Sequence, residues 1–227
     1  MLALVYKDLY QVRKSIMQVL AIWGFFALIA ILSNLHGKSN YITNVLVYLY
    51  GLMAVYAIVQ QILYNEDKYK GIYFMKTLPL KESMIVDNKF VTVIVLDVLS
   101  FVVSFILLGV IGIVTPQNIS LMDIIMNILI LVSVNLAYCG ILLLLFFCVG
   151  PAKSRQYMSF IVIILILAIS LGPSLIQGTA AAEYIKDAIK LLDQPYTPFA
   201  FLLVGPLIYA ACWAASLRVF KRKSYIS

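Results

Sequence analysis

Six apolar stretches, each long enough to cross a lipid bilayer as a helix, constrain this chain more than any other feature. A transmembrane helix needs about 20 consecutive and mostly apolar residues. The stretches are Ile16–Ser33, Tyr41–Tyr64, Phe90–Val114, Leu121–Val149, Tyr157–Ile176 and Phe199–Leu217. They take up most of a 227-residue chain that is 63% hydrophobic, which leaves no segment polar and long enough for a soluble domain. The sequence therefore predicts one all-α integral membrane domain with six transmembrane helices over residues 1–227.

Two Gly-Pro pairs lie in the later stretches. Gly172-Pro173 is near the end of the fifth stretch, and Gly205-Pro206 is in the sixth. Proline lacks the backbone donor of a helix interior and clashes with the preceding turn. We expect each pair to break or kink its helix.

Lysine and arginine are distributed unevenly between the two sides of the predicted bundle. With six spans both termini share a side, and on it lie all of the 17 Lys and Arg residues except Lys38, Lys186 and Lys190. Cytosolic loops carry an excess of basic residues, so both termini are predicted to be cytosolic. The first stretch is too long for the core of a signal peptide and no clear cleavage site follows it, so we expect it to remain in the mature protein.

Charge, cysteine and histidine placement argue against several function classes. The net charge of +7 flanks the apolar stretches and does not form the basic face of a nucleic-acid-binding protein. Cys139, Cys148 and Cys212 lie within apolar stretches and are interpreted as packing residues. His36, the only histidine, lies in a predicted external loop, and no paired carboxylates or nucleophile motif occur. We expect no catalytic residue, no metal site and no nucleic-acid partner.

Residues 1–15 are predicted to form a separate amphipathic helix. Apolar positions recur at spacings of three and four, and charged residues take most of the other side. The apolar positions are Leu2, Val5, Tyr6, Leu9 and Val12, and the polar ones are Lys7, Asp8, Gln11 and Lys14. The pattern is typical of a helix that lies in the membrane interface with its apolar face toward lipid, with a bend at Arg13 and Lys14. The alternative is a plain helical extension of the first span.

The longest predicted cytosolic segment, residues 65–89, is charged and yet rich in large apolar residues. These residues are Tyr69, Ile72, Tyr73, Phe74, Met75 and Leu78. We expect a helix over Tyr69–Leu78 that ends at Pro79, and a second helix over Lys81–Lys89 that runs into the third span. Such an exposed amphipathic element suggests a cytosolic protein partner. The alternative is that these residues pack against the bundle or the lipid surface.

Residues 177–198 form the other substantial loop and are predicted to lie outside the cell. Charged and aliphatic residues alternate there as in an amphipathic helix that ends at Pro195. This helix would either cap the exit of a pathway or serve as a lid without specific function.

The order of these parts resembles the ABC-2 type permeases, which are the membrane subunits of type V ABC exporters. The most specific stretch is NEDKYKGIYFMKTLPLKESMIVDNKF, which follows the second span. It is similar to the family pattern of acidic residues, a glycine, a Leu-Pro-hydrophobic turn and a helix that ends in lysine. The matching positions are Glu66, Asp67, Gly71, Leu78, Pro79, Leu80, Ile85, Val86 and Lys89. Arginine is absent from this loop, which departs from the family.

The resemblance implies a division of labour between subunits. The helix around Tyr69–Leu78 would be the coupling helix that inserts into an ATPase subunit, and residues 1–15 would be the connecting helix that also touches it. The implied coupling residues are Glu66, Asp67, Tyr69, Gly71, Ile72, Tyr73, Phe74, Met75, Leu78, Pro79, Lys7 and Asp8. The implied partners are two copies of a separate ABC ATPase, a second permease copy in a homodimer or heterodimer, and membrane lipid.

Cofactor, location and substrate are also implied by the resemblance. No Gly-x-x-x-x-Gly-Lys-Ser/Thr loop occurs in the chain, so ATP and Mg²⁺ would bind the partner ATPase and this chain would bind no cofactor. The expected location is a bacterial plasma membrane. The chain resembles permeases of small two-component exporters such as the phenol-soluble modulin exporters, which suggests an amphipathic or hydrophobic substrate such as a peptide toxin or antimicrobial peptide.

Asp97 is the one ionisable residue well inside a predicted span. A charge at mid-bilayer costs roughly 2.5–3.5 kcal/mol on insertion scales, so such a residue suggests a functional site. Ser100 and Ser104 continue its helical face, and Gln60 and Gln61 of the second span lie at a similar depth. One hypothesis is a polar cluster that changes partners as the bundle opens. The other is a hydrogen bond that holds the second and third spans together.

Two further patterns in the spans have more than one interpretation. Tyr41, Tyr48 and Tyr56 recur at helical spacing, and Tyr48 and Tyr56 could line a substrate path or simply pack within the bundle. In the sixth span the pairs Ala210/Ala214 and Ala211/Ala215 would permit close helix packing, within the bundle or between permease copies.

The competing function classes differ in their energy source. An ion- or proton-coupled secondary transporter that uses Asp97 is the main alternative to an ATP-driven exporter. It predicts several ionisable residues within the membrane and often an internal repeat, and only Asp97 fits. An intramembrane enzyme is disfavoured because no catalytic motif is found.

Overall fold

The computed structural model describes residues 2–35, 41–78, 80–114, 121–161, 164 and 197–222, and within these ranges the fold is all-helical. Seven helices are α1 (Leu2–Gln11), α2 (Arg13–Leu35), α3 (Tyr41–Lys68), α4 (Gly71–Thr77), α5 (Glu82–Val114), α6 (Leu121–Val149) and α7 (Thr197–Arg222). Residues 151–161 are also helical. The predicted external segment 177–198 and the Gly172-Pro173 pair lie almost wholly outside the described residues.

Three of these helices are long and apolar enough to cross a membrane. The qualifying segments are Glu82–Ile111 in α5, Ile124–Val149 in α6 and Leu202–Arg222 in α7. The count rises to four if α1 and the first part of α2 form one broken span. The second predicted span, in α3, is not among these segments, and most of the predicted fifth span lies beyond the described residues. The total of six spans therefore stays a prediction.

The chain bends sharply between α1 and α2. The two helices meet at 61°, with α1 ending at Gln11 and α2 beginning at Arg13. The predicted bend at this point is therefore present, and α1 is no straight extension of the first span. Its neighbours in the bundle are α5, α2 and α3.

The face of α1 that packs on the bundle differs from the predicted apolar face. Val5, Asp8 and Val12 are buried, whereas Leu2 and Tyr6 are exposed. The interpretation of Asp8 as part of the outward polar side is wrong. The buried stripe of α1 includes Asp8 because Lys89 and Asn88 of α5 donate to its carboxylate.

Two clusters of buried apolar side chains hold the bundle together. The larger one lies around the middle of α3, the start of α5 and the end of α6, where the rings of Phe147 and Phe220 meet edge-on at 5.4 Å. The smaller one joins α2, α5 and α6 around Trp23. Many outward apolar side chains stay exposed, such as Leu203 and Leu207, as expected for helices whose outer faces meet lipid.

Helices α6 and α7 approach most closely where their residues are small. A Cβ added at Gly205 would overlap the hydroxyl and carbonyl oxygens of Ser133, and one at Gly140 would lie 2.9 Å from the Tyr209 ring. Helix α7 continues through Pro206, so the helix is not broken at Gly205-Pro206, and the predicted kink there stays a prediction. The glycine here serves the approach to α6, while Ala210 and Ala211 remain exposed.

The predicted cytosolic segment 65–89 is helical at both ends. Its first residues belong to the last turn of α3, and Lys70 then takes a left-handed conformation with φ 50°. Helix α4 begins at Gly71, two residues later than predicted, and ends at Thr77. The predicted second helix begins at Glu82 and continues into α5. Pro79 lies outside the described residues.

Candidate functional site

Charged side chains from three helices meet in the interior next to α4. Lys7 and Asp8 come from α1, Glu66 from the last turn of α3, and Asn88 and Lys89 from α5. We call these five residues the ion cluster. The helices that carry it are far apart in sequence, so the cluster fixes the end of α3 and the whole of α1 against α5.

Lys89 is the centre of the ion cluster. Its Nζ donates to Asp8 Oδ2 and to Glu66 Oε1, both at 2.7 Å. Lys7 Nζ lies 3.1 Å from Glu66 Oε1 and 3.4 Å from Asp8 Oδ1. Asn88 Nδ2 donates to Asp8 Oδ2 at 2.9 Å. Two ammonium groups therefore face two carboxylates, and the cluster is electrically balanced.

The ion cluster is shielded from solvent except at Lys7. The side chains of Asp8, Glu66 and Lys89 are at most 1% exposed, and that of Lys7 is 34% exposed. Taking such charges out of water costs several kcal/mol per ion, which only close pairing repays. Buried charges of this kind contribute more to the specificity of helix packing than to net stability. Any other packing of the helices would leave one of the charges unpaired.

The pKa values of the cluster reflect this pairing. Burial by itself would raise the pKa of Glu66, but attraction by Lys89 and Lys7 outweighs it and the pKa is lowered. Burial would likewise lower the pKa of Lys7, but attraction by Glu66 and Asp8 prevails and the pKa is raised. Both groups are therefore held in their charged forms at neutral pH.

Gly71 is required where α4 begins. A Cβ at this position would overlap the Glu66 carboxylate, so the first turn of α4 lies directly on the ion cluster. The chain reaches this contact through the left-handed Lys70, after Lys70 N donates to the Asp67 carbonyl at 3.3 Å. Helix α4 is therefore packed against the cluster at its first turn.

Helix α4 is anchored on one side and exposed on the other. Met75 is buried in the larger apolar cluster, whereas Phe74 and Tyr69 are each 65% exposed and Leu78 is 38% exposed. Lys68 Nζ lies 5.4 Å from the centre of the Tyr69 ring. Tyr69, Phe74 and Leu78 form what we call the α4 surface. The side chains of Ile72 and Tyr73 lie outside the described part of the chain.

The helical residues 151–161 contact the same region. Arg155 Nη2 lies 3.4 Å from Asp67 Oδ2, and the Arg155 guanidinium carbon lies 5.0 Å from the centre of the Tyr64 ring. Gly150, at φ 92°, makes the turn from α6 into this stretch. A second predicted cytosolic loop is thereby connected to the end of α3.

The family of the chain follows from a comparison that covers almost all of it. A family model described as "ABC-2 family transporter protein" matches residues 3–221. The chain belongs to the ABC-2 transporter family. It is therefore a membrane permease of an ABC-type transporter. No individually curated protein matches it, and the narrower likeness to phenol-soluble modulin exporters stays a prediction.

Members of this family are transport subunits that generally lack an ATPase site and work with an ABC ATPase partner. In this ABC-2 permease the predicted coupling residues fall into two groups. Tyr69, Phe74 and Leu78 are exposed, whereas Asp8 and Glu66 are enclosed within the chain. The Glu66 carboxylate of the second group lies against Gly71, at the first turn of the helix that carries Phe74.

Sequence reasoning missed part of the ion cluster of this ABC-2 permease. Asn88 was not among the predicted site residues, and Lys89 was recognised only as a motif residue that precedes the third span. Arg155, which pairs with Asp67 beside the cluster, was missed as well. The available signal was a lysine immediately before a long apolar run, with one acidic residue within the predicted N-terminal helix and another just after the second predicted span. That signal is weak because positive charge at such a boundary is ordinary in membrane proteins.

The polar cluster predicted inside the membrane exists with different partners. Asn135 of α6 donates its side-chain N–H to Asp97 Oδ1, and Cys139 Sγ lies 3.6 Å from Asn135 Oδ1. Ser100 and Ser104 line one small cavity with Asp97. The hydrogen bond that joins helices here connects the third and fourth predicted spans, not the second and third.

The glutamines and tyrosines of α3 make local contacts. Gln60 Nε2 donates to Tyr56 Oη at 2.7 Å, and Gln61 Nε2 donates to the Asn65 side chain at 3.3 Å. The Tyr56 ring packs against Tyr138 of α6 with centroids 4.9 Å apart. The side chain of Tyr48 is not among those described, so the predicted substrate path remains a prediction.

Proposed function

We propose that the chain is the permease of an ATP-driven exporter and that its ATPase partner binds the α4 surface. The observation that carries this proposal is the position of the α4 surface directly over the buried ion cluster. Two exposed aromatic side chains beside an apolar residue are typical of a protein contact. A displacement of α4 would move Glu66, because Gly71 packs against its carboxylate. Glu66 is bonded to Lys89, so the displacement would also reach α5 and α1.

The mechanism of coupling would be the preference of the ATPase for one of two bundle arrangements. A partner shifts such an equilibrium only by the difference between its affinities for the two states. The ion cluster supports this role because its closely paired charges resist separation, so the ends of α1, α3 and α5 would move together. The substrate would then be released outward through the spans that these helices continue.

Several finer features belong to the same proposal. We propose six spans with both termini in the cytosol of a bacterial cell, two ATPase copies with bound Mg²⁺ and ATP, and a second permease copy. The cargo would be an amphipathic or hydrophobic molecule such as a peptide. The exposed apolar faces of the bundle and the cationic ends of α7, Lys221 and Arg222, support an arrangement within a lipid membrane.

The first experiment isolates the complex and tests one side chain. The wild-type chain is purified from its native host in mild detergent, and the eluate is assayed for Mg²⁺-dependent ATP hydrolysis and for a protein with a phosphate-binding loop. Phe74→Ala should reduce the co-purified ATPase activity at least tenfold. Phe25→Ala is the matched control, because Phe25 is similarly exposed but lies on α2, within the first predicted span.

The results separate ATP-driven transport from the alternative. Equal ATPase recovery with Phe74→Ala and with wild type would contradict the proposed contact. An ion- or proton-coupled transporter, the competing hypothesis that rests on Asp97, predicts that transport in reconstituted vesicles needs no ATPase and is abolished by an ionophore. Transport that requires ATP and ignores the ionophore would exclude that alternative.

A further inference from the structure

A carboxyl group lies buried in the apolar part of the bundle beside a small cavity. Asp97 is 2% exposed and lies within the membrane-crossing segment Glu82–Ile111 of α5. The cavity beside it has a volume of about 10 Å³. Gly51, Ser100, Ser104 and Asn135 line it together with Asp97, and the rest of its wall is aliphatic. This site is separate from the ion cluster and from the α4 surface.

The surroundings of Asp97 offer no compensating positive charge among the described residues. The ion pairs of the bundle involve other carboxylates. Among the described titratable side chains, Asp97 acts electrostatically on Cys139 of α6 and Tyr209 of α7, and α3 presents Gly51 to the cavity. Thiol and phenol groups are ordinarily neutral at neutral pH. An ionised Asp97 would therefore be an isolated charge in an apolar interior, which is costly.

The hydrogen bonds around Asp97 leave one of its oxygens available. Asn135 donates to Oδ1, and its own carbonyl oxygen is occupied by Cys139, which fixes the orientation of the amide. Oδ2 is buried and forms no hydrogen bond with any described residue. A buried polar atom without a partner is costly. The group that completes this site must therefore be small and must satisfy Oδ2.

We propose that Asp97 is a proton-binding site, with the proton on Oδ2 and one water molecule in the adjoining cavity. The proton removes the isolated charge, and the water accepts the hydrogen bond from Oδ2. A buried water needs about 10–15 Å³ and two to four polar partners. The cavity meets the first requirement, and Oδ2 with the hydroxyls of Ser100 and Ser104 meets the second.

The composition of the wall favours a proton over a metal cation. Hard cations such as Mg²⁺ and Ca²⁺ bind six or more oxygen ligands. The cavity wall supplies one carboxyl group and two hydroxyls, and its remaining side chains are aliphatic or an already bonded amide. A proton needs a single acceptor atom. The inference concerns the state of Asp97 and stands whether or not an ATPase drives transport.

Infrared spectroscopy of the purified chain tests the proposal. A protonated carboxyl group has a C=O stretch that is well separated from the carboxylate and amide bands. At pH 7 we expect such a band in the wild type, and we expect it to shift when aspartate is labelled with ¹³C at the side-chain carboxyl. The band should disappear in Asp97→Asn and persist in Asp67→Asn, whose carboxylate faces Arg155.

The outcomes decide the proposal even if one variant fails to fold. The labelled wild type alone overturns it if it shows no protonated aspartate band at pH 7. A band that remains unchanged in folded Asp97→Asn also overturns it. The same band should be present in sodium chloride and in choline chloride, and a band that appears only after sodium is removed would show a metal cation in place of the proton. Ser104→Ala should change the band frequency through the altered hydrogen bond.

Discussion

At the scale of single residues, Lys89 is the group on which the end of the bundle next to α4 depends. Its ammonium group is 2.7 Å from carboxylate oxygens of both Asp8 and Glu66. A buried lysine in an apolar span would ordinarily be unfavourable. Here it is retained because it joins three helices at one point, and the same charges make every wrong pairing of these helices unfavourable.

The first prediction is that Lys89→Met destabilises the chain strongly. The substitution keeps much of the apolar stem but leaves two buried carboxylates with only Lys7 to balance them. Removing one partner of a buried ion pair costs about 3–5 kcal/mol. The midpoint of thermal unfolding in detergent should fall clearly. Lys81→Met, at an exposed position, should leave it nearly unchanged, and an equal effect of the two variants would contradict the central role of Lys89.

The second prediction concerns acid. The pKa of Glu66 is lowered in the folded chain from its usual value of 4.5, so its ionised form stabilises the fold fully above that value. The stabilisation is lost as the pH falls below 4.5 toward the lowered pKa, because the unfolded chain then binds the proton first. The unfolding midpoint of Glu66→Gln should therefore vary less with pH below 4.5 than that of the wild type.

Glu82→Gln is the control for this titration. Glu82 is exposed at the start of α5, so its removal should leave the acid dependence of the wild type in place. A wild-type curve and a Glu66→Gln curve that run parallel between pH 3 and pH 5 would show that Glu66 is not held by Lys89 and Lys7.

At the scale of helices, the apolar runs predicted the elements well but did not predict their contacts. Five of the six predicted stretches correspond to α2, α3, α5, α6 and α7, because about 20 apolar residues in succession leave few alternatives to a helix. The predicted hydrogen-bond partner of Asp97 was wrong. Asn135 is one polar residue among many in α6, and nothing in the sequence singles it out. Depth along a helix can be counted from the sequence, whereas the rotation that brings Asn135 toward Asp97 depends on packing.

The start and register of α4 and α1 show the same limit. Periodicity identified both as amphipathic elements, but it did not show that Asp8 faces inward or that α4 begins at Gly71. The inward position of Asp8 depends on Lys89, which lies more than 70 residues further along the chain, and the start of α4 lies against Glu66. A local pattern contains no information about a charge that arrives from another helix.

The third prediction tests the contact between α6 and α7. Gly205→Ala would place a Cβ where the hydroxyl and carbonyl oxygens of Ser133 lie, and helix backbones cannot shift by so much without loss of packing. We expect a destabilisation of about 1–3 kcal/mol. Gly109→Ala is the matched control, because nothing lies within 4 Å of a Cβ there and alanine favours a helix. The unfolding midpoints of the two variants in detergent measure these effects. Equal midpoints would contradict the close approach of α6 and α7 at Gly205.

At the scale of the whole molecule, one mechanical connection explains the arrangement. The α4 surface, the ion cluster and the first turns of α5 form a continuous path from an exposed patch to a membrane span. Family membership establishes a membrane permease of an ABC-type transporter. The account built on it requires that the α4 surface face the cytosol, where an ATPase is found.

Site-directed labelling measures that requirement directly. Phe74→Cys is made in a chain from which Cys139, Cys148 and Cys212 have been removed, and whole cells are treated with a membrane-impermeant maleimide. The account predicts no labelling of Phe74→Cys in intact cells and labelling only after permeabilisation, while Lys38→Cys, in a loop predicted to be external, is labelled in both. Labelling of Phe74→Cys in intact cells would place the α4 surface outside and contradict the account.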